Sequence, residues 1–161
     1  MKFIRESIPY LVIILVVLVI RTFIVTPIIV SGESMVPTLD GGELMLLKKY
    51  DTDYKRFDIV VVNKSVEGDN LIKRVIALPG ETIRYKSNRL YINDEIIEDI
   101  YAYGDTANFK EIKLGKDEYF LMGDNRAISL DSRALGIIKK QEIEGTVGIV
   151  LFPFKKIGKV N

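Results

Sequence analysis

The chain has no cysteine, no histidine and no tryptophan among its 161 residues. Without cysteine there is no disulfide framework, no thiolate nucleophile and no thiolate metal site. Without histidine, Ser-His-Asp triads and HExxH zinc sites are excluded together. A hydrolytic enzyme built from this sequence must take its base from lysine, a carboxylate or tyrosine. Net charge is nearly absent too: 23 Lys+Arg against 22 Asp+Glu leave +1, so no electrostatic footprint for nucleic acid is visible. No cofactor motif, metal-ligand cluster, internal repeat or low-complexity segment stands out.

Charge is missing again from Ser7 to Ile20, and after Arg21 the apolar character resumes through Phe23, Ile24 and Val25. A helix over about Ser7–Val25 rises about 28 Å, close to the ~30 Å hydrocarbon thickness of a bilayer. The run has no polar face, which argues against a buried helix of a soluble core. Pro27 disfavours helix at Thr26 and should end the span, with Arg21 reaching back to the headgroups. Lys2 and Arg5 precede the span, and after Arg21 the next basic residues are Lys48 and Lys49; this bias predicts a cytoplasmic N-terminus. A cleaved signal peptide is the competing reading, disfavoured by the interrupting Arg21 and by Pro-Ile-Ile-Val where a small-residue cleavage site is needed.

Beyond the span the pattern is of short strands. Glu43–Tyr50, Phe57–Asn63, Asn70–Leu78, Glu81–Tyr85, Arg89–Asn93, Glu118–Met122, Leu135–Ile138 and Gly145–Phe152 are apolar or β-branched and punctuated by turn residues. Residues 94–116 are more polar and weakly patterned, and read as a small peripheral excursion. The expected architecture is mostly β: a short cytoplasmic N-terminus (1–6), a single transmembrane anchor helix (7–26) and an extracytoplasmic β domain (27–161), a sandwich or partly closed barrel.

Two stretches suggest chemistry. In Val30-Ser-Gly-Glu-Ser-Met-Val-Pro-Thr38, Ser34 lies between Gly32 and Pro37, so the chain bends and the hydroxyl projects; the same string also suits a polar turn between two strands. In Asn70–Leu78, alternation places Lys73 with Leu71, Val75 and Ala77, and Arg74 with Ile72, Ile76 and Leu78. Both faces are apolar, so at least one cation is pressed against hydrophobic surroundings. Burial disfavours the charged form of lysine, whereas arginine effectively cannot deprotonate. A strand lysine whose stem lies on apolar surface while the amine reaches water is the alternative.

Four blocks together resemble the type I signal peptidases, membrane-bound serine/lysine endopeptidases: Ser-Met-Val-Pro-Thr at 34–38, Phe-Asp-Ile-Val-Val-Val at 57–62, Lys-Arg-Val-Ile-Ala-Leu-Pro-Gly at 73–80, and Gly-Asp-Asn-Arg-Ala-Ile-Ser-Leu-Asp-Ser-Arg at 123–133. The resemblance implies Ser34 as nucleophile, Lys73 as general base, Ser129 as the hydroxyl orienting the lysine amine, and Asp131 with Arg133 as a supporting ion pair, with Asp124 also in support. It implies substrate contacts at Val30, Met35 and Ile72, and an oxyanion hole using the Ser34 backbone N–H, with Ser31 the candidate for a second donor. The implied partners are exported preproteins carrying small residues at −3 and −1, pilins among the candidates, and the lipid bilayer; no cofactor or metal is implied. Four departures stand out: Gly32 replaces a serine found in some members two residues before the nucleophile, Ala127 and Ile128 replace polar residues, Phe57 stands where glycine is frequent, and the region between Asn93 and Lys116 is compact, which argues against the family's larger second β domain. The competing functions are a catalytically silent or substrate-dedicated factor for pilus assembly, and a serine/lysine autoprotease.

Overall fold

Lys2–Phe23 form one helix (α1), and a single residue, Ile24, separates it from the first strand. The computed structural model describes residues 2–66 and 69–160; Met1, Glu67, Gly68 and Asn161 lie outside it. Twenty-two helical residues rise about 33 Å. The 18-residue window Glu6–Phe23 is long and apolar enough to cross a membrane, and none of it is buried against protein. A helix apolar on all sides with nothing packed on it has lipid as its natural solvent. Its C-terminal carbonyls are covered from the β domain: the Thr26 hydroxyl donates to Arg21 O at 2.8 Å and Lys49 Nζ to Thr22 O at 3.4 Å. Lys49 also sits favourably at the negative end of the helix dipole.

The strands are β1 Val25–Ile29, β2 Leu44–Lys48, β3 Ile59–Val66, β4 Asp69–Ala77, β5 Thr82–Lys86, β6 Arg89–Ile92, β7 Glu95–Ile97, β8 Phe109–Lys113, β9 Glu118–Met122, β10 Ile138–Lys139, β11 Ile143–Phe152 and β12 Gly158–Lys159. Among the described residues, one antiparallel sheet runs β1-β2-β11-β3-β4-β9-β10 with β12 also on β11, and a second runs β7-β6-β5-β8. Pro27 sits in β1, the outermost strand, where a missing N–H is tolerated. The span 94–116 carries β7 and β8, two strands of the second sheet; their alternation is hard to read because both are short and mostly exposed.

Apolar runs in the central strands are buried on both faces. Ile59 and Val61 of β3 pack with Met45, Leu47, Val147 and Val150, while Val60 and Val62 pack on the other side with Tyr54, Val75, Leu121 and Ile143. A third cluster joins the two sheets: Ile76, Ala77, Phe120 and Met122 meet Ile83, Tyr85, Leu90 and Ile92. The segment between β1 and β2 is fastened into the first cluster by Val30, Met35 and Leu39, exposed by 3%, 1% and 1%. Ser34 therefore rides on a loop with a buried anchor on either side.

One glycine is demanded by the sheet itself. Gly145, with φ +156, begins the stretch where β11 meets β2, and a Cβ there would lie 2.1 Å from the Lys48 carbonyl oxygen. Gly145→Ala is expected to destabilise the domain by about 3 kcal/mol, since backbone must move. Gly148→Ala, in the same strand with nothing within 4 Å of the added methyl, should stay within about 0.5 kcal/mol of wild type. Denaturant unfolding of the two variants in one detergent checks the contrast.

Candidate active site

β4 places Lys73 and Arg74 side by side, and the structure buries both, at 4% and 0% exposure. β9 pairs with β4 only from Met122 opposite Arg74, so the loop bearing Ser34 closes in where β9 ends. The Asn125 N–H donates to Ser34 O at 3.0 Å. The Val36–Pro37 peptide in that loop is cis. Lys73 Nζ lies 2.8 Å from Ser34 Oγ and donates to Ile72 O at 3.0 Å. Burial lowers the Lys73 pKa from its ordinary value of 10.5 to about 8, against the opposing pull of the Asp131 and Asp124 carboxylates. A lysine amine in that state is a competent acceptor for a serine proton near neutral pH.

Arg74, one residue on, has the opposite fate. Its guanidinium donates from Nε to Asp124 Oδ1 at 2.8 Å and from Nη2 to Asp124 Oδ2 at 2.7 Å, with Nη1 on the Phe57 carbonyl at 2.8 Å. The Thr38 hydroxyl donates to Asp124 Oδ2 at 2.5 Å, tying the far end of the Ser34 loop to the same pair. The Tyr101 ring covers the guanidinium, its centroid 3.6 Å from Cζ. Phe57 has φ +70, a left-handed conformation suited to glycine. That turn directs its carbonyl at Arg74, and its ring packs against Tyr101 at 5.4 Å. The aromatic contact and the charged hydrogen bond offset the backbone strain.

Asp131 and Arg133 form a bidentate pair, both bonds 2.8 Å, and Asp131 Oδ2 also accepts the Gly123 N–H at 3.0 Å. Burial pushes the Asp131 carboxyl up, but Arg133, the Gly123 N–H and the Ser129 hydroxyl hold it below its ordinary value. Asp131 further caps the short helix α2, Ser132–Leu135, by accepting the Arg133 N–H. Gly123 has no room for a side chain: a Cβ would lie 2.2 Å from Ser129 Oγ and 2.5 Å from Ser34 O. Ser129 Oγ is thus near the Ser34 carbonyl. It is buried, and its hydroxyl acts on the Asp131 carboxylate, whose pKa it helps to lower; the Lys73 amine donates to Ile72 O.

Beside this cluster lies a groove of about 280 Å³ lined by Ile28, Ile29, Ser31, Val61, Asn70 and Ile72. Of the expected substrate contacts, Ile72 lines it, while Val30 and Met35 lie in the core beneath. Ser31 is exposed on its wall. Ile28 and Val61 are groove residues that sequence reading missed, because an apolar strand position gives no sign of which gap it faces. Arg74 was legible as a cation on an apolar strand, but Thr38, Tyr101 and Phe57 as its partners were not.

An antiparallel β fold that presents a serine hydroxyl to a desolvated lysine amine, behind an exposed apolar helix, defines a membrane-anchored hydrolase of the serine/lysine class. Residues 4–152 match the family described as "Signal peptidase, peptidase S26", and the chain belongs to that family. It is 41% identical over 157 residues to a "Signal peptidase I" of Bacillus amyloliquefaciens, covering 88% of this chain and 84% of that one. It is 38% identical over 162 residues to "Signal peptidase I S" of Bacillus subtilis (strain 168), covering 89% and 86%. Among solved structures, a signal peptidase I from Enterococcus faecalis V583 superposes with a TM-score of 0.53 at 31% identity, over 58% of this chain and 96% of that one.

Lys73 links the site to stability. With a folded pKa of about 8 against 10.5, the unfolded chain holds the proton more tightly than the fold does. The penalty, about 3 kcal/mol, is fully present below pH 8 and fades as pH rises toward 10.5. Lys73→Met is expected to be at least as stable as wild type at pH 7, with the advantage shrinking by pH 10; the lost bonds to Ser34 and Ile72 offset part of it. Unfolding both proteins in denaturant across that range decides. A variant clearly weaker at pH 7 would mean that the amine is charged and solvated.

Proposed function

We propose that the protein is a type I signal peptidase in which Ser34 is the nucleophile and Lys73 the general base, cleaving exported preproteins after small residues at −3 and −1. The hydrogen bond between Lys73 Nζ and Ser34 Oγ at 2.8 Å is the observation that carries this reading. With a pKa of about 8, about one Lys73 amine in ten is neutral at pH 7, against a few in ten thousand for an unperturbed lysine. That gain is about three hundredfold in the reactive form. Neutral Lys73 takes the Ser34 proton as Oγ attacks the scissile carbonyl, then returns it to the leaving amine. Water, deprotonated in the same way, releases the acyl group.

Among the described residues no backbone acceptor takes the Ser34 N–H, which leaves it for the developing oxyanion. Ser31, on the groove wall, is the second donor in this reading. Ser129 and the Asp131–Arg133 pair support the site through Gly123, where the close packing holds Ser34 and the 123–133 loop in register. Among the described residues β1 pairs with β2 alone, so its other edge is open to an extended peptide, whose small side chains then meet the apolar wall of Ile28, Val61 and Ile72. General export substrates fit such a wall; nothing in it favours pilins alone. The α1 helix spans the bilayer once, with its N-terminus cytoplasmic and the β domain outside, so substrate and site meet at the membrane surface.

Incubating the detergent-solubilised protein with a preprotein, and sequencing the new N-terminus, should place the cut after a small residue. Ser34→Ala and Lys73→Ala should each abolish that cut, while reagents that require a catalytic His or Cys leave it intact; near-wild-type cleavage in either variant removes the dyad. For topology, protease added to right-side-out vesicles should attack the β domain. Digestion only after the vesicles are inverted would reverse the orientation.

A further inference from the structure

The loop bearing Ser34 leaves the sheet at Val30 and returns at Glu43, and these two residues extend the β1–β2 ladder: the Val30 N–H donates to Glu43 O and the Gly42 N–H to Val30 O, both at 2.9 Å. Just above this stem the two limbs touch, since a Cβ on Gly41 would lie 3.2 Å from the Gly32 carbonyl oxygen. The Glu43 side chain is 2% exposed. One of its oxygens, Oε1, accepts the Asp40 N–H at 3.0 Å and Lys156 Nζ at 2.8 Å; the other, Oε2, is buried with no partner. Lys156 Nζ also donates to the Asp40 carboxylate. Lys156 ends a one-turn 3-10 helix, Phe154–Lys156, that follows β11, whose last residue Phe152 pairs with Leu44 next to Glu43.

We propose that Lys156 is a positioning residue for Ser34: it braces the stem of the nucleophile loop through Glu43 and Asp40, so that the active site is completed by the C-terminal turn. The proposal rests on Ser34 acting as the nucleophile. A buried carboxylate with one oxygen unpaired is tolerated only while a cation sits on the other. The charged groups that the structure places against Glu43 are Asp40 and Lys156. Take Lys156 away and Asp40 remains, so the carboxylate must draw in water or a proton. Either response moves the 40–43 stem, and a nucleophile displaced by a fraction of an ångström loses rate. The groove walls at Val61 and Ile72 stand on β3 and β4, and Ile28 lies in β1, on the limb that Lys156 does not touch, so substrate affinity should change little.

The test is preprotein cleavage by the full chain in detergent. Lys156→Met should lower kcat about tenfold with KM within about twofold. Lys156→Arg, which keeps a cation in reach, should retain most of the wild-type kcat. Adding Glu43→Gln to Lys156→Met removes the orphaned charge and should recover most of the loss. The double variant carries the test even if Lys156→Met alone is too unstable to isolate. A Lys156→Met kcat within about twofold of wild type, an equal loss in Lys156→Arg, or a folded double variant still about tenfold down would each overturn the brace. Failure of the dyad shows separately, as cleavage that survives Ser34→Ala whatever the Lys156 variants do.

Discussion

The buried pair of Arg74 and Asp124 is the contact on which the domain's arrangement depends. Neither side chain is exposed at all, and the pair lies where the strand core, the Ser34 loop and the 94–116 segment meet. Arg74 follows Ile72, which packs with the first cluster, and precedes Ile76, which packs with the one joining the two sheets. Its donors and Asp124's lone pairs are shared with Phe57, Thr38 and a Tyr101 ring. A buried ion pair adds little over an apolar substitute, but removing one partner strands the other, at a cost of about 3–5 kcal/mol. Such a pair specifies one arrangement more than it stabilises it.

Two neighbouring cations on one strand thus do different work, and their chemistry explains the division. The guanidinium keeps its charge in any protein environment, so its burial forces a partner to come to it. The ammonium has a second option, to give up its proton, and burial in the absence of a contacting carboxylate takes it part of the way. Asp131 and Asp124 pull the other way from a distance, and each is occupied by its own arginine. With their charge so neutralised, the carboxylates leave desolvation as the dominant influence on Lys73.

Much of this was legible in the residues, and what was not has physical reasons. Continuous apolar runs such as Ile59–Val62 and Val75–Ala77 announce central strands because both faces are buried. Glu95–Ile97 and Phe109–Lys113 do not, since a short, mostly exposed strand keeps polar residues on its outer face. A lysine between Leu71 and Val75 signals desolvation, yet nothing in that strand says which hydroxyl will meet its amine; the four-block resemblance supplied Ser34. The same resemblance offered Ser129 as a hydroxyl near the amine; the bond from the amine to the Ile72 carbonyl is one that no residue pattern announces. The contact of Lys156 with Glu43 spans 113 residues, and no local pattern could reveal it.

The short join between α1 and β1 has a mechanical consequence. With Ile24 alone between helix and strand, and with Thr26 and Lys49 fastened to the last helical carbonyls, the domain has no slack on its tether. The Ser34 hydroxyl then stands at a set height beyond the helix, like a blade bolted to a post instead of swinging on a cord. With Ser34 as the proposed nucleophile, a polypeptide emerging from the lipid would be cut where its own length brings a small residue level with that height, so that geometry would read the substrate as well as chemistry.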